Sequence, residues 1–136
     1  MDEENEQNGA AVYAKMSKRM NTKHIAAIES DFGGFLPLGF YINTNNEIAL
    51  RSINSWKKYF LPYEMSQFIE GYAGVDIAPL KNDEILLLTL KTNIQQYASI
   101  YHSKKDVFGI VDKRELALGA AAMTSMVYLI DKYGLE

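Results

Sequence analysis

The stretch "EILLLTL", residues 84–90, constrains this chain more than any other. It is apolar almost without interruption and too short for a core helix. Such a run reads as a β-strand covered on both faces, which is the habit of strands with helical layers above and below them. A strand of that kind needs neighbours to pair with and elements to bury it. Three other stretches have the length and composition to pair: "HIAAIES" as a buried strand, "FYIN" as a short strand, and "MSQFIEG".

The covering elements are legible too. "GAAVYAKMSKRM" reads as a moderately amphipathic helix from about Asn8 to Met20. "NNEIALRSINSWKKYF" reads as a second helix, with Ile48, Ile53, Trp56 and Phe60 near one face. Asp112 and Glu115 have capping-box spacing and open a long helix, "RELALGAAAMTSMVYLIDKY", that stops at Gly134. Its small residues, Gly119 through Ala122, suit close packing on a sheet. Between these lie "DFGGFLPLG", a loop broken by glycines and Pro37; "GYAGVDIAPLKN", a Gly-rich turn or short helix; and "KTNIQQYASIYHSKKDVFGI", a long irregular stretch. Loops of that length in compact domains usually carry function. The expected fold class is α/β: one domain over residues 1–136, a mixed sheet with "EILLLTL" central, and helices on both faces. A strand is missing from this pattern, because the first helix has none in front of it.

Composition narrows the chemistry. The chain has 136 residues, enough to bury roughly two-thirds of its unfolded surface. It has no cysteine, which excludes disulfides, thiol nucleophiles and cysteine-ligated zinc. His24 and His102 are its two histidines, so a three-histidine metal site is excluded. The net charge of −3, with no basic run, argues against nucleic acid or an anionic membrane as partner. No stretch has the ~18 uninterrupted apolar residues of a membrane span. The acidic start, "MDEENEQNGA", has no apolar segment and does not read as a signal peptide.

A few polar groups remain as candidates. Asp2, Glu3 and Glu4 stand together at the start, where a frayed acidic tail is the ordinary reading. Asp31 follows a buried strand, the position where open α/β sheets bind ligands, although an Asx-turn opening a Gly loop uses the same residue. His102 lies in the long loop with Ser103 and Asp106 close enough in sequence to orient it. Neither a G-x-S-x-G elbow nor a phosphate loop of standard spacing is present. Carboxylates plus an imidazole are groups that zinc accepts, and a further carboxylate can act as a base on metal-bound water.

Taken in order, "MDEEN", "HIAAIESDFGGFLPLGF", "GYAGVDIAPL", "YHSKKD" and "VDKREL" with "AAAMTSMVYLI" resemble the second half of the di-zinc exopeptidases of peptidase family M twenty-eight, in particular its carboxypeptidase Q branch. The resemblance implies a zinc-exopeptidase-type mixed sheet and hydrolysis of peptides or dipeptides near a terminus. It implies Glu3 as general base, Glu4 and His102 as ligands of one zinc, and Asp31 as a ligand of the other. Ser103 and Asp106 match the segment around the histidine and take support roles. Asp76 matches a Gly-x-Asp segment, with capping of the following helix as an equal alternative. His24 takes no family role and is expected to pack at a strand start. Val107 stands where the family usually has Thr.

The family's other histidine ligand and its bridging aspartate have no counterpart here. The chain is therefore expected to be the C-terminal part of a catalytic domain and inactive by itself. The alternative is a non-catalytic remnant that serves as a binding or oligomerisation module, pairing with a second copy or with the missing half. Intact relatives of this kind are typically secreted or periplasmic; the chain itself carries no such signal.

Overall fold

The computed structural model describes residues 8–82 and 84–135, so Glu3 and Glu4 lie outside the described residues. Four strands form one mixed sheet: β1 (Ala26–Glu29), β2 (Pro37–Asn43), β3 (Gln67–Glu70) and β4 (Leu86–Thr92). Their spatial order is β1-β4-β2-β3. β1 runs parallel to β4 and β3 parallel to β2, while β2 and β4 are antiparallel. The apolar run thus lies inside the sheet as expected, and every residue of β4 is buried.

The helices are α1 (Asn8–Arg19), α2 (Glu47–Phe60), α3 (Ile94–Ala98) and α4 (Lys113–Tyr133). Three of them start on side-chain caps. Asn46 accepts from the backbone N–H groups of Ile48 and Ala49, Asn93 from Gln95 and Gln96, and Asp112 from Arg114 and Glu115. Each cap satisfies donors that the first helical turn leaves open. α4 ends where Gly134 takes a positive φ of 72°.

The two faces of the sheet are covered differently. Phe40, Ile42, Leu86, Leu88 and Leu90 point to one face, where α2 contributes Ile53, Trp56 and Phe60, and α4 contributes Ala122, Met126, Leu129 and Ile130. Gly119 brings α4 close: a Cβ there would stand 3.3 Å from a Leu90 methyl. On the opposite face Ile85 and Leu87 pack with Ile77, Ala27, Ala73 and Leu80. Much of that cover comes from the segment after β3, which contains a 3-10 turn at Ala78–Leu80, and α1 rests on this turn.

Three elements differ from the sequence expectation. β2 begins at Pro37, inside the stretch read as loop, because a proline without an N–H is tolerated at the first residue of a strand. Gly39, with φ 152°, lets β2 and β3 approach: a Cβ there would overlap the Gln67 carbonyl. The stretch read as irregular from Lys91 to Ile110 holds the end of β4, helix α3 and a 3-10 turn at Phe108–Ile110. β1 is half-buried along its length, because it is the terminal strand of the described sheet.

His24 packs as expected at the entry to β1. Its Nε2 is 2.9 Å from the Tyr13 hydroxyl and its Nδ1 3.3 Å from the Ser17 hydroxyl, so both ring nitrogens join the strand entry to α1.

Candidate functional site

β1 and β4 are parallel, so their carboxyl ends lie side by side, and the candidate residues follow those ends. Asp31 is two residues beyond β1 and exposed. The chain past it is tied back to β4: the Thr92 hydroxyl donates to the Phe32 carbonyl at 2.6 Å. Phe32 then meets three aromatic rings, Tyr41 at 6.0 Å, Tyr72 at 5.8 Å and Tyr97 at 5.5 Å between centroids. Edge-to-face and tilted pairs of this spacing are favourable beyond the area they bury.

Tyr97 stacks in turn on Tyr101 at 4.9 Å, and Tyr101 meets the His102 ring edge-on at 3.9 Å. One chain of aromatic contacts therefore joins the loop that bears Asp31 to the loop that bears His102. His102 is exposed and has a left-handed backbone, φ 53°. Ser103 supports its turn: its backbone N–H and its hydroxyl both donate to the Ile100 carbonyl, and its hydroxyl accepts from the Lys105 N–H. The Asp106 N–H donates to the Ser103 carbonyl, which closes the turn on the other side, and the Asp106 side chain is exposed.

Asp76 does not cap the 3-10 turn that follows it. That turn starts from Ile77 without a side-chain cap, and Asp76 takes part through its backbone. The acceptor is Glu29, the last residue of β1, which the sequence did not mark. One oxygen of its carboxylate accepts from the N–H groups of Asp76 and Ile77, each at 3.2 Å. Gly74 lies directly beneath this carboxylate, and its own N–H donates to the buried Thr89 hydroxyl at 2.8 Å. Thr89 is the register partner of Glu29 across the β1–β4 pair. The Gly-Val-Asp segment is thus clamped onto the ends of both parallel strands. Burial pushes the Glu29 carboxyl above its ordinary value, and the nearby charges of Asp31 and Asp76 push the same way. The two N–H groups pull it back in part.

Lys91, near the end of β4, is a second group that the sequence reading passed over. Its side chain is buried, and its ammonium sits 5.3 Å from the centre of the Tyr41 ring.

Among the described residues, no group of three or more histidine, aspartate or glutamate side chains lies close enough to hold a metal ion. Asp31 and His102 are oxygen and nitrogen donors of the kind zinc takes, and two are fewer than the three protein ligands of an ordinary catalytic zinc site. A groove of about 570 Å³ lies elsewhere, between the end of α2 and α4, lined by residues that include Pro37, Phe60, Met65, Ala122 and Leu129. None of the candidate residues borders it.

A mixed α/β layer with polar loop residues at the carboxyl ends of parallel strands is the arrangement in which such proteins bind ligands. Over 122 residues, 90% of its length, the chain is 24% identical to carboxypeptidase Q of Bos taurus; the figures are 23% for carboxypeptidase Q of Mus musculus and 24% for that of Homo sapiens, over the same share of the chain. The likeness to the carboxypeptidase Q branch that the motifs carry therefore holds along nearly the whole chain, and it relates the chain to a peptidase family. The chain spans about a quarter, 26%, of the length of these relatives. No family model matches it, and no solved structure does. No helix among the described residues is long and apolar enough to cross a membrane.

Proposed function

We propose that this chain supplies one side of a zinc-dependent exopeptidase centre that acts on peptides near a terminus. The observation that carries the reading is the likeness to carboxypeptidase Q over 90% of the chain, joined to the aromatic contacts that connect the Asp31 loop with the His102 loop. Asp31 and His102, together with Glu4, would hold metal, and Glu3 would serve as the base. Zinc in such a centre activates a water molecule and polarises the scissile carbonyl. The described residues contribute structure around it. Glu29 fixes the Gly74–Ile77 segment against the strand ends, and Ser103 shapes the turn that presents His102. The centre needs donors beyond Asp31 and His102, so the chain by itself is not expected to hydrolyse peptides.

Titration calorimetry with zinc tests this. Uptake is expected to be weak, short of two ions at micromolar metal, and reduced by both Asp31→Asn and His102→Ala. Weak uptake that neither substitution changes would remove Asp31 and His102 as ligands, and two tight sites would overturn the donor count.

A second reading, a binding or oligomerisation module, is favoured by a separate observation. Val12, Met16 and Met20 recur at helical spacing along and just beyond α1 and are half or more exposed, as is Ile25 at the entry to the terminal strand β1. Apolar side chains grouped in this way mark partner surfaces. Light scattering at tens of micromolar is expected to give more than the 15.4 kDa of one chain. A strictly monomeric mass would remove self-association through this surface.

A further inference from the structure

We propose that the groove between the end of α2 and α4 is a binding site for an uncharged, flat aromatic molecule that carries one hydrogen-bonding group. The proposal is independent of the peptidase reading, because none of the candidate metal donors borders the groove.

The sequence itself makes the hollow. α2 stops at Phe60, and the chain leaves it through a 3-10 turn at Leu61–Tyr63, which adds Tyr63 to the lining beside Tyr59. Along α4 the lining runs from Leu118 through the small residues Ala121, Ala122 and Ser125 to Tyr128 and Leu129. Intervals of three and four residues put these positions on one stripe of the helix. Large side chains at both ends of the stripe and small ones in its middle leave a space of about 570 Å³. Small-molecule sites have volumes of this order. The floor is core, since Phe60, Met65, Ala122 and Leu129 are buried. The rim is aromatic: Tyr59, Tyr63 and Tyr128 are half or more exposed.

The chemistry of the lining selects the occupant. None of the lining side chains is charged, so a carboxylate or an ammonium in the groove would leave water without a counter-charge. The polar side-chain atoms are hydroxyls, apart from the thioether of Met65. That of Thr124 donates to the Ala120 carbonyl at 2.8 Å. Those of Tyr59, Tyr63, Ser125 and Tyr128 make no hydrogen bond among the described residues. Three phenols from α2, the 3-10 turn and α4 thus offer ring faces for a flat apolar body and hydroxyls for one polar group. The groove is also separate from the apolar stripe of α1. That helix rests on the 3-10 turn at Ala78–Leu80, which covers the sheet face opposite α2 and α4.

Naphthol, naphthoate and naphthylmethylamine share one ring system and differ in charge. Titrating each into the full chain, by calorimetry and amide chemical shifts, tests the proposal. Naphthol is expected to shift the amides of the groove and to bind at least about tenfold more tightly than either charged analogue, the ratio expected when a charge must be buried without a partner. Equal or tighter binding of a charged analogue overturns the proposal, as do naphthol shifts confined to residues outside the groove. No binding in any arm overturns it. Ser125→Phe fills the middle of the stripe from an exposed helix position and is expected to abolish naphthol binding; binding that survives the substitution overturns the proposal. Amides of α4 that broaden with protein concentration, in the absence of any ligand, would assign the groove to a second copy and overturn it too. If Ser125→Phe does not fold, Ala121→Met, at the neighbouring exposed position of the same stripe, decides in the same way.

Discussion

Glu29 and Gly74 are matched so closely that a single added methyl group would separate them from their partners: a Cβ on Gly74 would overlap the Glu29 carboxylate. Swinging the carboxylate aside would give up its bonds to the N–H groups of Asp76 and Ile77. Gly74 cannot withdraw either, because its N–H is bonded to Thr89 inside the sheet.

Gly74→Ala is therefore expected to destabilise the chain by about 1–3 kcal/mol, the cost of overpacking together with displaced hydrogen bonds. In a Glu29→Ala background the same substitution is expected to cost much less, since the clash is gone. Urea unfolding of the four variants gives the coupling energy directly. Additive costs would show that the two residues do not share the space as described.

The raised pKa of Glu29 sets a pH dependence with a definite sign. A carboxyl whose folded-state pKa lies above its unfolded value favours folding fully below the unfolded pKa of about 4.5, and that contribution is lost as pH rises through the folded value. Glu29→Gln removes the titration. The stability of the unsubstituted chain relative to Glu29→Gln is expected to fall as pH rises from 4 toward 7. Unfolding curves at intervals across that range check it, and a difference that grows with pH would reverse the assignment.

Gly39→Ala is expected to cost at least about 2 kcal/mol, because it combines a backbone conformation hostile to side chains with overlap of the Gln67 carbonyl in the β2–β3 pair. Gly9→Ala makes the control, since a Cβ there meets nothing within 4 Å and the position is helical. Thermal melts of the two variants are expected to move in opposite directions.

His24→Ala is expected to loosen α1 more than the sheet. It removes the ring that joins Tyr13 and Ser17 to the β1 entry, at about 1 kcal/mol of global stability. Hydrogen exchange of the α1 amides is expected to accelerate while β4 amides stay protected. Equal acceleration in both would show that α1 and the sheet open as one unit.

The sequence determined by itself what depends on local chemistry. The short apolar run "EILLLTL" reads as a strand covered on both faces, and β4 is buried throughout. Asp112 before Glu115 announced the start of α4, and the cap forms as its spacing requires. The motif order carried the relationship to carboxypeptidase Q without any coordinates. Asn93 with Gln96 carries a similar start signal for α3, hidden inside a stretch whose composition reads as loop. What only the tertiary structure decided is what depends on distant partners. Pro37 and Gly39 look like loop residues, but β4 and β3 supply the pairing that makes them strand. Glu29 lies inside the "HIAAIES" strand stretch without any signal of its own; its role comes from Gly74, Asp76 and Ile77, more than forty residues away. Lys91 opens the stretch read as irregular, and only the sheet shows its side chain laid against the Tyr41 ring. Caps and apolar runs act over a few residues of one segment, so sequence spacing specifies them; a carboxylate or an ammonium acquires its role from whatever the fold brings within hydrogen-bonding or ring-contact distance, and no local pattern encodes that.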